Sequence, residues 1–174
     1  VSKAGTAVVE EALGSDISVE SDMSWKDALA RLASAKKLQP KVPESLNANL
    51  REYQHSGYGW LARLAHWGIG GVLADDMGLG KTLQTLSWIL WLRGRSPEEA
   101  GRPSLVVCPK SVMENWRSEA AKFAPALRVR VMSSGESVFE NVGAADLHVM
   151  NYAHLRLLGD RLTEVRWLAV ILDE

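Results

Sequence analysis

After Gly68, short apolar runs alternate with amphipathic stretches. Five runs are typical of buried strands, and between several of them apolar side chains recur every three or four positions, as in helices. The predicted strands are residues 71–74, 104–108, 129–132, 147–150 and 168–172, and the clearest predicted helices are residues 81–93 and 111–123, the second opening on a capping box of Ser111 and Glu114. Strands alternating with helices indicate an α/β fold with a mainly parallel sheet and helices on both faces.

Two further helices are predicted upstream. Ser24 and Asp27 resemble a capping box that opens a helix over about residues 24–38, and a second periodic run predicts a helix over about residues 48–67. Residues 1–27 carry six acids against two lysines, which favours a partly flexible segment. We therefore predict an N-terminal extension over residues 1–45 and a single lobe over residues 46–174.

The amino-acid composition and net charge of the chain exclude several classes of protein. The chain has 174 residues, of which 47% are apolar, enough for one substantial core. Twenty Lys and Arg nearly balance 21 Asp and Glu. Any contact with a nucleic acid must therefore come from a local groove and not from a general attraction to a positively charged protein. A single cysteine, Cys108, excludes a disulfide framework and fits a reducing cytosol, and no apolar stretch approaches the length of a membrane span. We expect a cytoplasmic protein, nucleoid-associated or nuclear according to its source, without a membrane partner.

The most specific motif follows the first predicted strand and reads Asp-Asp-Met-Gly-Leu-Gly-Lys-Thr. Gly78 and Gly80 let the backbone curl with its amides inward, and the positive end of the following helix favours a polyphosphate. Lys81 would reach the β and γ phosphates, and Thr82 would place its hydroxyl on the bridging Mg²⁺. The strict phosphate-loop pattern has glycine where Asp75 stands, and the alternative is a glycine-rich helix entry with a solvated lysine.

A second motif ends the last predicted strand with two acids, Asp173 and Glu174. An aspartate there can hold Mg²⁺ through water, and the adjacent glutamate can act as the general base for an attacking water. Strand ends are also often acidic simply because the chain turns into solvent there. Together with the phosphate loop, the pair indicates nucleoside-triphosphate hydrolysis.

Five stretches resemble successive motifs of the Swi/Snf-type, superfamily-two helicase-like ATPases. They read LREYQHSGYGWL, GGVLADDMGLGKTLQTL, LVVCPKSVMENWRSEAAKF, HVMNYAHL and WLAVILDE, and they cover about residues 46–174. The resemblance implies the first RecA-like lobe of a P-loop NTPase motor that binds ATP and grips duplex DNA. A second RecA-like lobe is then expected after Glu174, and the sheet of this chain is expected to be incomplete at its C-terminus.

The same resemblance implies roles in nucleotide binding. Gln54 would read the adenine, with Arg51 and Tyr53 beside the base, although an ordinary surface glutamine on a helix is the alternative. The ATP-binding loop would comprise Asp76, Met77, Gly78, Leu79, Gly80, Lys81 and Thr82. Asp76 stands where the family more often has glutamate, and we expect the change to be tolerated because the acid is retained.

Two DNA-contacting motifs are implied as well. Pro109, Lys110 and Ser111 match the first, at the end of a strand where a helix N-terminus could bind a DNA phosphate. Asn151 and Tyr152 match the second. Met150 and Asn151 stand where the family usually has Thr and Ser, so the strand that this motif contacts is not specified.

These features together predict the ATP-binding lobe of a DNA-dependent ATPase that uses ATP and Mg²⁺, translocates on double-stranded DNA and remodels protein–DNA complexes. An RNA helicase and a non-hydrolysing, nucleotide-dependent binding module are the alternatives. Related motors take an arginine from the second lobe to stabilise the departing phosphate, so we expect the isolated chain to be inactive.

Overall fold

A four-stranded parallel sheet lies at the centre of the structure, a computed structural model that describes residues 23–132 and 142–173. The strands are β1 (Ser104–Cys108), β2 (Val129–Val131), β3 (Leu147–Asn151) and β4 (Val170–Leu172), in the order β2-β3-β1-β4. Every pairing is parallel. The predicted α/β class with a mainly parallel sheet is thus confirmed, although β2 and β4 are shorter than predicted.

The register of the sheet brings three strand ends to one edge. Cys108 at the end of β1 is level with Asn151 at the end of β3, and Val107 is level with Leu172 at the end of β4. All five residues of β1 are buried, as expected for a central strand. Residues that directly follow these strands therefore meet at the carboxyl edge, where ligands of open α/β sheets bind.

The described residues contain six α-helices. They are α1 (Met23–Lys37), α2 (Glu52–Trp67), α3 (Lys81–Arg93), α4 (Pro97–Ala100), α5 (Met113–Phe123) and α6 (Tyr152–Leu158). Short 3₁₀ turns cover Lys110–Val112, Val142–Ala144 and Gly159–Glu164. The bounds predicted for α3 are confirmed, and α1 begins and ends one residue before its prediction.

Helices cover both faces of the sheet, as predicted. On one face, Val106 and Val149 pack with Leu86 and Ile89 of α3 and with Trp116 of α5. On the other face, the core contains Val107 and Met150 together with Leu162 of the last 3₁₀ turn, and Leu155 of α6 packs against it. The two central strands, β1 and β3, thus contribute alternate side chains to two separate cores.

The strand predicted at residues 71–74 is wrong. Residues 71–76 follow an irregular path without strand hydrogen bonds, and Val72 is 83% exposed. A β-strand exists only where a neighbouring strand pairs with it, and β4, an end strand of the described sheet, does not pair with this segment. The apolar composition of residues 71–74 indicated an extended segment but could not indicate whether another strand pairs with it.

Two helix starts also differ from their predictions. Helix α2 begins at Glu52 and not near residue 48, because Arg51 at its N-cap has an extended backbone. The capping box predicted at Ser111 and Glu114 does not form, since the 3₁₀ turn makes Val112 the N-cap of α5 without a side-chain hydrogen bond. The side chain of Ser24, and with it the box predicted at the start of α1, lies outside the described residues.

Asp146, just before β3, ties α3 to the sheet. Its carboxylate accepts hydrogen bonds from Arg93 of α3 and from the side chain and backbone N–H of Arg128, at 2.8 to 3.0 Å. Burial by itself raises the pKa of Asp146, but the hydrogen bonds from Arg128 and the charges of both arginines lower this pKa overall. The far end of α3 is thereby held to the sheet.

His148 of β3 is fully buried, and its Nε2 lies 2.9 Å from the carbonyl oxygen of Val142. Burial lowers the pKa of His148, with a smaller contribution from the charge of Arg130, while the Val142 hydrogen bond and the charge of Asp146 oppose this shift. The imidazole is therefore neutral in the folded protein at neutral pH.

Candidate functional site

The glycine-rich loop connects the irregular segment after α2 to the start of α3. Gly78 and Gly80 have φ angles of +83° and +76°, the left-handed region in which side chains are disfavoured. Gly80 is the N-cap of α3 and carries no side chain that could accept from the first-turn N–H groups. The loop therefore turns as predicted and presents the positive end of a 13-residue helix.

Lys81 turns back over this loop. Its Nζ donates hydrogen bonds to the carbonyl oxygens of Asp75 at 2.7 Å and of Asp76 at 3.0 Å. The ammonium is thus held by neutral acceptors at the helix start. An anionic oxygen would be a stronger partner for it, because hydrogen bonds between charged groups are roughly twice as strong.

The other residues of the predicted ATP-binding loop differ in exposure. Asp76 and Gly78 are exposed, and Met77 is 96% exposed. Leu79 and Thr82 are half-buried, and Thr82 lies in the first turn of α3. The C-terminal end of the loop is thus partly covered, while its first three residues face solvent.

Gln54, predicted to read adenine, is 7% exposed and joins α2 to the loop. Its Oε1 accepts from the backbone N–H of Arg51 at 3.0 Å, and its Nε2 donates to the carbonyl oxygen of Leu79 at 3.2 Å. A Cβ at Gly80 would lie only 2.5 Å from Nε2. Gln54 is therefore packed against the loop, and the alternative of an ordinary surface glutamine is wrong. Arg51 and Tyr53, its neighbours in the sequence, are exposed.

Sequence reasoning missed Gln84. It lies on α3, is fully buried, and donates through Nε2 to the Asp75 carboxylate at 3.1 Å. Within the described residues its Oε1 is buried without a hydrogen-bond partner. A Cβ at Gly57 of α2 would lie 1.9 Å from this Oε1, so glycine is required for the close approach of α2. In the sequence, only the position of Gln84 shortly after the loop could have indicated that its amide bonds the Asp75 carboxylate.

Asp173, the predicted Mg²⁺ residue, follows β4 and is fixed at three atoms. Its N–H donates to the carbonyl of Val107 at 2.8 Å, and its carbonyl accepts from the Tyr152 hydroxyl at 2.9 Å. Its Oδ2 accepts from the indole Nε1 of Trp116 at 2.8 Å. Burial, with the nearby Asp173 charge, raises the pKa of the Cys108 thiol to about 11. Glu174, the predicted base, lies outside the described residues.

The loop and Asp173 are attached to the same core. Leu83, one residue after Thr82, is a member of the cluster against which Ile171, two residues before Asp173, packs. Across the described residues, no group of three or more His, Cys, Asp or Glu side chains could hold a metal ion by itself.

The residues predicted to contact DNA lie along the same edge. Lys110 and Ser111 are exposed in the 3₁₀ turn after β1, and Pro109 is half-buried before it. Asn151 is the N-cap of α6 and accepts the N–H of His154 at 3.0 Å. Tyr152 is 37% exposed while its hydroxyl contacts the Asp173 backbone. Both predicted motifs are thus beside Asp173 on neighbouring strands.

None of the described helices is long and apolar enough to cross a membrane.

Comparisons with known proteins agree with this arrangement. A family model described as SNF2-related domain matches residues 53–174. The chain is 34% identical over 163 residues to the TATA-binding protein-associated factor MOT1 of Saccharomyces cerevisiae, covering 86% of this chain and 9% of that protein. It is 33% identical over 175 residues to the chromatin-remodeling ATPase INO80 of Gibberella zeae, covering 92% of this chain and 9% of that protein.

The fold is also similar to a solved structure, the Sulfolobus solfataricus SWI2/SNF2 ATPase core in complex with dsDNA. The TM-score is 0.68 at 42% sequence identity, and the match covers 79% of this chain and 28% of that one. This similarity confirms the predicted RecA-like α/β lobe. The chain spans less than a third of each of these three proteins.

Proposed function

Because this chain belongs to the SNF2-related domain family of Swi2/Snf2 ATPases, we propose that it is the ATP-binding lobe of an enzyme that hydrolyses ATP while translocating on double-stranded DNA. In this proposal the movement serves to remodel protein–DNA complexes. The observation that carries it is the placement of the Lys81 loop and Asp173 on one core beside the carboxyl edge of a parallel sheet.

The residues of the loop fit a nucleoside triphosphate. Two left-handed glycines and the start of α3 present backbone N–H groups, and the Lys81 ammonium lies over the same turn. On binding, Lys81 exchanges the carbonyl oxygens of Asp75 and Asp76 for anionic phosphate oxygens. Gln54 and the exposed Arg51 stand beside the loop where the base would lie.

The donor set also fits Mg²⁺, which prefers oxygen ligands and keeps several waters when bound beside phosphates. The Thr82 hydroxyl and the Asp173 carboxylate would hold the ion. When bound, Mg²⁺ would neutralise charge that develops on the transferred phosphoryl group. Glu174 would accept the proton of the attacking water as general base.

Duplex DNA is proposed as the track because the relative from Sulfolobus solfataricus was solved in complex with dsDNA. The exposed Lys110 and the α6 N-terminus at Asn151 and Tyr152 would contact the phosphate backbone. Such contacts are independent of base sequence, which suits a motor that moves along any DNA.

Phosphate release by the full-length protein tests the proposal, with double-stranded DNA, single-stranded RNA or no nucleic acid added. We expect stimulation by duplex DNA, together with ATP-dependent displacement of a third strand from a DNA triplex. Lys81→Ala should weaken ATP binding at least about tenfold, because charge-assisted hydrogen bonds to phosphate are lost. Lys122→Ala is the matched control, since this lysine lies over the Phe123 ring on α5 and is not part of the loop.

Each alternative has its own result. Stimulation by RNA alone would favour an RNA helicase, and ATP binding without turnover under every condition would favour a binding module. Unchanged ATP affinity in Lys81→Ala would refute the assignment of the phosphate loop.

A further inference from the structure

Only one of the three contacts that fix Asp173 touches its carboxylate. The bonds with Val107 and Tyr152 involve backbone atoms of Asp173, so they place the main chain and leave the side chain free to rotate. The indole of Trp116 is the group that reaches Oδ2, at 2.8 Å. Within the described residues no hydrogen bond engages Oδ1.

Trp116 is well suited to hold this carboxylate still. It is 3% exposed and packs in the core between α5 and the sheet, so its ring has little freedom. An indole N–H is a single donor and cannot accept, so it engages one carboxylate oxygen, here Oδ2, and leaves the other without this bond. It is also neutral, so it orients the acid without cancelling the charge that would attract a cation.

We propose that Trp116 is a positioning residue for Asp173, which holds Oδ2 of the carboxylate and leaves Oδ1 available to a Mg²⁺ ion. This inference rests on the proposed function, in which Asp173 holds the ion. Hydrogen-bonding partners of metal-ligating carboxylates commonly set ligand orientation, and their loss weakens metal binding by about 10-fold to 100-fold. Here the partner comes from α5, 57 residues before the acid.

The test is the affinity of the full-length protein for Mn²⁺, a spectroscopic probe for Mg²⁺, measured by electron paramagnetic resonance in the presence of ATP. Trp116→Phe keeps an aromatic ring but removes the N–H, and we expect Mn²⁺ affinity to fall about tenfold. ATP affinity measured in EDTA should stay unchanged, because the phosphate loop is not altered.

Trp167→Phe is the matched control. The Trp167 indole also donates a 2.8 Å hydrogen bond, but to the carbonyl oxygen of Leu162 on the opposite face of the sheet. This variant loses an equivalent bond and should keep its Mn²⁺ affinity. If Trp116→Phe does not fold, 3-benzothienylalanine at position 116 replaces only the N–H by sulfur and keeps the ring volume.

Unchanged Mn²⁺ affinity in the folded Trp116 variant would overturn the inference, as would an equal loss in Trp167→Phe or a parallel loss of ATP affinity in EDTA. Asp173→Asn separates this failure from that of the proposed function. If Asp173→Asn leaves Mn²⁺ affinity unchanged, the metal role of Asp173 is wrong; if it lowers the affinity while Trp116→Phe does not, only the role of Trp116 is wrong.

Discussion

The two left-handed glycines of the phosphate loop allow a quantitative test, because only one of them is crowded. A Cβ added at Gly78 would meet no atom within 4 Å, whereas one added at Gly80 would lie 2.5 Å from the Gln54 amide nitrogen. Alanine in the left-handed region costs roughly 1–2 kcal/mol at either position. The comparison of the two variants isolates the Gln54 contact.

The magnitude for Gly80→Ala follows from this contact. Gln54 must move, and its Nε2 then loses the 3.2 Å hydrogen bond to Leu79 in a largely buried setting. Leaving a buried donor without a partner costs about 1–3 kcal/mol. We therefore expect Gly78→Ala to lower the free energy of unfolding by about 1–2 kcal/mol and Gly80→Ala by about 2–5 kcal/mol.

Equilibrium urea unfolding, followed by tryptophan fluorescence, measures both variants. The change that alanine makes in the unfolded chain is the same at the two positions, so it cancels in their difference. The double variant Gln54→Ala, Gly80→Ala provides the control, since without the Gln54 amide the excess cost of Gly80→Ala should disappear. Equal destabilisation by the two glycine variants, or an excess that survives in the double variant, would refute this account of the loop.

Two further predictions concern DNA affinity and acid stability. Lys110→Ala should weaken DNA binding equally for all DNA sequences, as measured by fluorescence anisotropy. The slope of log affinity against log salt concentration should decrease in magnitude by about 0.9. A loss of affinity confined to particular sequences would contradict a phosphate contact. Because burial lowers the pKa of His148 in the folded state, its contribution to stability is present above its unfolded pKa near 6.5 and is lost as the pH falls toward the folded value. As the pH decreases below about 6.5, the free energy of unfolding should decrease by up to about 1.4 kcal/mol per pH unit. His148→Gln should remove this dependence. Identical pH profiles of the variant and the original protein would rule out His148 as its source.

Periodicity and spacing were enough to predict much of the fold. The bounds of β1 and α3, the parallel arrangement and the cover on both faces are confirmed. The element bounds depend on neighbours a few residues apart along the chain, where apolar spacing directly reflects which face is buried. The parallel arrangement followed from the alternation of strands with helices. The curl of the backbone at Gly78 and Gly80 was also predicted from residue type, and the structure shows that both glycines use the left-handed region.

Tertiary structure alone decided the pairing of distant groups. Residues 71–74 have a strand-like composition but no strand partner among the described residues, and pairing is a property of the sheet. Gln54 meets Leu79 across 25 residues and Trp116 meets Asp173 across 57, because helix packing sets these distances. Local sequence determines which groups can donate or accept, but burial and close approach, which depend on the whole fold, determine which of them bond.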